Sequence, residues 1–160
     1  MTGKVAGLIL TLPLMKPLIA FVAFVFALTL SVRASDDGWL TDYEAAARKA
    51  SVENKTMLLD FTGSDWCGWC IKLDKEVFSQ PEFAAYAKKN LVLVKVDFPR
   101  SKPQSAAVRK QNENLAAKFK IQGYPSVVVL NSQAVQIGEL GYQQGGAKSW
   151  ISEIEKVIGK

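Results

Sequence analysis

An α/β domain with a central mixed β-sheet and helices on both of its faces is predicted by three observations. Helical and extended patterns alternate through residues 35–160 in the order helix, strand, helix, strand, helix, strand pair, helix. Two short runs, Met57 to Phe61 and Leu91 to Val96, are apolar almost throughout, as strands covered on both sides must be. Ser126 to Leu130 and Val135 to Leu140 face each other across Asn131-Ser132-Gln133, a hairpin that adds antiparallel members to a sheet whose earlier strands need crossover connections.

Taken in order, residues 1–34 read as a signal peptide. Lys4 and Lys16 precede an uncharged apolar run from Leu18 to Leu30, and Val32-Arg33-Ala34 offers a cleavage junction ahead of Ser35. The rival reading is an uncleaved membrane anchor, but Pro13, Lys16 and Pro17 break the apolar stretch short of the ~20 residues a span needs. A lipid anchor is excluded because no cysteine stands at the junction. The folded domain is then residues 35–160, periplasmic or secreted, where disulfides persist.

Thr41-Asp42-Tyr43-Glu44 has capping-box spacing, and Tyr43, Ala46, Ala47 and Ala50 line one face of a helix ending near Asn54. After the first buried strand, Gly68 to Phe78 reads as a helix burying Ile71, Leu73, Val77 and Phe78. Ser79-Gln80-Pro81-Glu82 reads as a second capping box, with Pro81 in the first turn of a helix that runs to about Lys89. Phe98 to Pro103 must be loop, and Ser105 to Lys120 has helical composition that Asn112 is expected to interrupt. Trp150, Ile151, Ile154, Val157 and Ile158 mark a closing amphipathic helix.

Composition removes several function classes. The formal charge of +5 suggests nucleic acid, yet without Lys4, Lys16 and Arg33 the chain has 17 basic residues against 15 acidic, and no dense basic cluster remains. With two cysteines and no histidine, one subunit cannot assemble an ordinary zinc site or a Cys-His hydrolase. No metal and no organic cofactor is expected.

Both cysteines lie in Trp66-Cys67-Gly68-Trp69-Cys70, where the first strand passes through a short loop into a helix. Two thiols at this spacing can close a small ring, the geometry of a dithiol redox centre. A structural disulfide closing so short a loop would constrain little of the unfolded chain. At a helix start, Cys67 gains from unpaired backbone N–H groups and the positive end of the helix dipole, so its pKa should fall. Cys70, one turn further in, should stay protonated until it resolves a mixed disulfide.

Leu58 to Cys70 resembles the active-site strand and helix start of the thioredoxin superfamily, and Gly123-Tyr124-Pro125 matches a second motif. The resemblance implies a thioredoxin fold over about residues 40–158 and a thiol-disulfide oxidoreductase acting on protein disulfides through Cys67 and Cys70, with a redox partner protein. It implies that Asp60 is the buried aspartate that takes a proton from Cys70, and that Lys95 faces it. It also implies a cis peptide at Tyr124-Pro125, whose backbone faces the dithiol and pairs with substrate. Trp66, Gly68, Trp69, Tyr124 and Pro125 are the substrate-binding candidates. No histidine stands between the cysteines, so a reductant or modest exchanger is expected over a strong oxidant. The competing reading is a redox-inactive binding module, with a structural disulfide and an aromatic docking patch. Oligomeric state is not legible.

Overall fold

The computed structural model describes residues 38–159 together with Gly3. The expected signal peptide and its junction at Ser35 lie outside the described residues. Among the described residues, no helix is long and apolar enough to cross a membrane. The elements are β1 (Trp39–Leu40), α1 (Tyr43–Glu53), β2 (Thr56–Thr62), α2 (Gly68–Leu73) running on as a π turn (Asp74–Phe78), α3 (Pro81–Asn90), β3 (Leu91–Asp97), α4 (Ala106–Lys118), β4 (Ser126–Leu130), β5 (Gln136–Leu140) and α5 (Gly146–Ile158).

The five strands lie in the order β1-β3-β2-β4-β5, with β1, β3 and β2 parallel and β4 and β5 antiparallel to their neighbours. This is the expected mixed sheet. Strand alternation then sorts side chains to two faces. Met57, Leu59, Phe61, Val92, Val94, Val96, Val128 and Leu130 pack with Tyr43, Ala46 and Leu115 of α1 and α4. Leu58, Leu91, Leu93 and Val127 pack on the other face with Leu73, Val77, Phe78, Phe83, Trp150 and Ile154 from the α2, α3 and α5 side. Trp150 is fully buried, its ring set edge-on to Phe78 and its Nε1 donating to the Gly141 carbonyl.

Five expectations change. The cap of α1 is Asp42 instead of Thr41, its carboxylate accepting from Ala45 N at 2.9 Å. Gln80 precedes α3 without a side-chain cap, while the Ser79 hydroxyl donates to Asp74 Oδ2 at 3.1 Å. Ile71, expected in the core, is 49% exposed, because Cys70 and Leu73 take the inward positions of α2. Asn112 does not break α4. It is buried within an unbroken helix, and its Nδ2 donates to the Asp97 carbonyl at 2.9 Å. The hairpin turns about Asn131 as expected, but β5 starts at Gln136, since Asn131 Oδ1 accepts from Gln133 N and Val135 N and leaves Val135 exposed. The two-residue strand β1 was not foreseen; so short a segment carries no periodicity to read.

Candidate active site

Three segments meet at one end of the sheet. Phe61 of β2 pairs with Ser126, and Thr62 pairs with Asp97. The loop leaving β2 therefore runs beside the loop leaving β3 and the Tyr124-Pro125 peptide entering β4. That peptide is cis, as expected.

The dithiol begins α2. Cys67 is the helix cap, and its Sγ accepts from Cys70 N at 3.2 Å. The two cysteines form a disulfide with Cα atoms 5.2 Å apart. They are similarly covered in the oxidised form, 7% exposed for Cys67 and 4% for Cys70. The loop that delivers them is held from within, since Trp66 N and Cys67 N both donate to the Gly63 carbonyl. It is also held from β3: Asp97 Oδ1 accepts from Ser64 N at 2.9 Å and Asp97 Oδ2 from the Ser64 hydroxyl at 2.6 Å.

Behind Cys70 lies a cavity of about 220 Å³ lined by Asp60, Thr62, Cys70, Asp74, Lys95 and Lys102. Alternation along β2 turns Asp60 to the α2 side, opposite Phe61, and register sets Lys95 of β3 beside it. Asp60 is 4% exposed, and its Oδ1 has no hydrogen-bond partner among the described residues. Burial raises its pKa from 3.8 to about 7 against the pull of Lys95, and the charges of Asp74 and Asp97 add to the rise. The predicted neighbours Asp60, Lys95 and Cys70 are thus brought to one cavity.

The aromatic candidates divide. Trp66 is half-buried and fixed: its Nε1 donates to the Phe98 carbonyl at 2.8 Å, and its ring stands edge-on to Tyr124 at 5.8 Å. Gly63 lets the indole lie across the loop, since a β-carbon there would strike the ring. Trp69 is 58% exposed and rests on Tyr142, ring centroids 5.2 Å apart, with the Lys72 ammonium near both rings. Gly68, in the first turn of α2, is exposed and has open space on its Cα.

Sequence reasoning missed three contributors. Tyr142 supports Trp69 and donates to Glu76 Oε2 at 2.7 Å, yet it lies far along the chain with no motif around it. Arg100 stacks on Trp66 with its guanidinium carbon 4.0 Å from the ring centroid. Asp65 accepts from Arg100 N at 3.0 Å and Ser101 N at 2.7 Å, and these backbone donors lower its pKa. Among the described residues, no group of three or more His, Cys, Asp or Glu side chains is placed to hold a metal.

A family model described as thioredoxin-like matches residues 38–132, spanning β1 through the β4–β5 turn and including both cysteines. The chain belongs to the thioredoxin-like family. Among its relatives is a disulfide bond reductase, DsbH of Chlamydia pneumoniae, 32% identical over 130 residues that cover 81% of this chain and 78% of the relative. The thioredoxin-related protein DsbJ of the same organism is 36% identical over 103 residues, 64% of this chain and 30% of its own. Among solved structures, a DsbH oxidoreductase superposes with a TM-score of 0.74 at 31% identity, covering 82% of this chain and 90% of that one. With a Cys-X-X-Cys disulfide at the start of α2, this thioredoxin-like protein is a thiol-disulfide oxidoreductase.

Proposed function

We propose that the protein is exported and reduces or exchanges disulfides of other proteins, with Cys67 as the attacking thiol and Cys70 as the resolving one. The observation that carries this order is the cap geometry: the sulfur of Cys67 accepts the Cys70 amide at the positive end of α2, an environment that favours thiolate. Cys67 thiolate attacks a substrate disulfide, forming a mixed disulfide and expelling one substrate thiolate. Cys70 then gives its proton to ionised Asp60, attacks Cys67 Sγ and releases the second substrate thiolate. Two electrons pass to the substrate, the disulfide Cys67–Cys70 is left, and a reducing partner protein must restore the dithiol.

Asp60 supports the second step because its pKa of about 7 suits proton exchange near neutral pH, and it shares a cavity with Cys70. Lys95, beside it in register, favours the ionised form that accepts the proton. Trp66, Gly68, Trp69, Tyr124 and Pro125 form the substrate-facing surface, with an extended substrate segment pairing along the backbone before Pro125. No organic cofactor or metal enters the cycle. The N-terminal segment, residues 1–34, serves export; protein recovered from its host should begin at Ser35, and a full-length chain in the cytosolic fraction would remove that part.

Trapping tests the mechanism. Cys70→Ser should accumulate covalent complexes with substrate proteins through Cys67 on non-reducing gels, and Cys67→Ser should accumulate few. The reverse pattern would exchange the two roles. No complexes with either variant, together with a disulfide that resists reduction in a glutathione titration, would favour the redox-inactive binding module.

A further inference from the structure

The loop from β3 to α4, with the first turns of α4, carries an unusual charge distribution. From Phe98 to Asn112 the chain has Arg100, Lys102, Arg109 and Lys110 and no acidic residue. The two acids at the base of this loop are occupied in shaping it: Asp97 binds Ser64, and Asp65 binds the Arg100 and Ser101 amides. Three of the cations, Arg100, Lys102 and Arg109, line a cleft of about 420 Å³ together with Phe98 and Glu113. None of the three forms an ion pair among the described residues.

The cleft reaches the active-site segment through two aromatic contacts. Arg100 stacks on Trp66, the residue before Cys67, and Phe98 packs on Tyr124, ring centroids 5.4 Å apart. Arg100 is exposed apart from this ring contact, so its guanidinium donors can meet a carboxylate, which such a fork can bind in bidentate fashion. The first turn of α4 adds no acidic residue to cancel this field.

The geometry points to a docking surface for an acidic segment of the substrate polypeptide, one whose disulfide lies over Cys67 while flanking Asp or Glu side chains lie in the cleft of Arg100, Lys102 and Arg109. This rests on the oxidoreductase reading of the dithiol and deepens it by naming the substrate's charge. Complementary charge of this kind acts mainly on the rate of encounter and on the choice among partners.

The test uses two synthetic peptides with the same internal disulfide, one flanked by Glu and the other by Gln, reduced by the full chain while excess dithiothreitol restores its dithiol and the rate with dithiothreitol alone is subtracted. At low salt kcat/KM should be about tenfold higher for the Glu peptide, and the advantage should vanish near 0.5 M salt, where screening shortens to about 4 Å. The double variant Arg100→Gln/Arg109→Gln should bring the ratio close to one, and Arg100→Glu/Arg109→Glu should invert it. Because the readout is a ratio, general damage to the fold lowers both rates and leaves it unchanged. A ratio near one in the parent protein, or one that survives both variants, overturns the proposal. So does a salt-sensitive preference confined to glutathione disulfide, which would assign the cleft to a small anionic disulfide instead. If neither peptide is reduced, the oxidoreductase reading fails on its own. Fluorescence anisotropy of the same peptides with serine for cysteine then decides the docking claim, and equal binding of the two would end it.

Discussion

The two sides of the dithiol are built on opposite terms. Behind Cys70, a buried carboxylate stands with one oxygen unpartnered beside a lysine, inside a small cavity. In front of Cys67, the aromatic shelf is fastened by side-chain hydrogen bonds: Trp66 Nε1 to Phe98, Asp65 to two amides, Tyr142 to Glu76. An orphaned buried acid costs stability and gains a shifted proton affinity, whereas hydrogen-bonded aromatic rings gain rigidity and lose adaptability. The rear side is thus suited to moving a proton, and the front side to presenting a fixed surface to a partner.

Substitutions on each side should separate these roles. The largest effect belongs to neither side but to the sulfur between them: Cys67→Ser should lower disulfide reduction by at least ~10³-fold, measured as turnover of a disulfide-linked peptide. At the rear, Asp60→Asn should slow release of the mixed disulfide by on the order of 10²-fold while leaving the first attack nearly unchanged in rapid-mixing kinetics.

The same substitution should stabilise the fold. Below pH 3.8 the carboxyl is protonated whether the chain is folded or not, and above about 7 it is ionised in both states. Between these values only the folded state holds the proton, so stability falls as pH climbs through this window and stays lower above it. Asp60→Asn should therefore add up to roughly 4 kcal/mol at pH 8 and close to nothing below pH 4, read from urea unfolding at both pH values. A gain independent of pH would mean that the carboxyl is not buried in the way described.

At the front, Gly63→Ala should cost about 1–3 kcal/mol by driving the Trp66 indole off Phe98, and it should slow attack more than release. Smallest is Trp69→Ala. The side chain is exposed, so thermal unfolding should change by less than about 1 kcal/mol while KM for a protein substrate rises several-fold. A large loss of stability there would make Trp69 a packing residue and erase the contrast between the two indoles.

What could be read in advance follows the same division. The strands β2 and β3 announce themselves because both faces are covered, and their alternation already aims Asp60 and Lys95 the same way. The cysteines and Tyr124-Pro125 are local signals and needed no long-range information. The polar fastenings were not legible. Asn112 looks like a helix breaker because its amide competes with the backbone in isolation, but in the fold that amide reaches the Asp97 carbonyl. Ile71 looks like core because it continues an apolar pattern, and only the position of the dithiol shows that Cys70 has taken the inward place. Tyr142 and Arg100 become site residues through tertiary contact alone.

The turn Asp74–Phe78 has a consequence for how the dithiol is aimed. Its hydrogen bond runs from Ser79 N to the Asp74 carbonyl, five residues back, so it holds one residue more than an α turn. An α-helix rotates about 100° per residue, so the extra residue acts as a phase shifter between the end carrying Cys67 and Cys70 and the end anchored by Val77 and Phe78. Shortening the chain by one residue within 74–78 would let an unbroken helix form, but it would swing either the sulfurs or the anchor about a quarter turn out of place. The length of this segment is therefore constrained along with its buried side chains, which sets Asp74–Phe78 apart from the surface connections of the molecule.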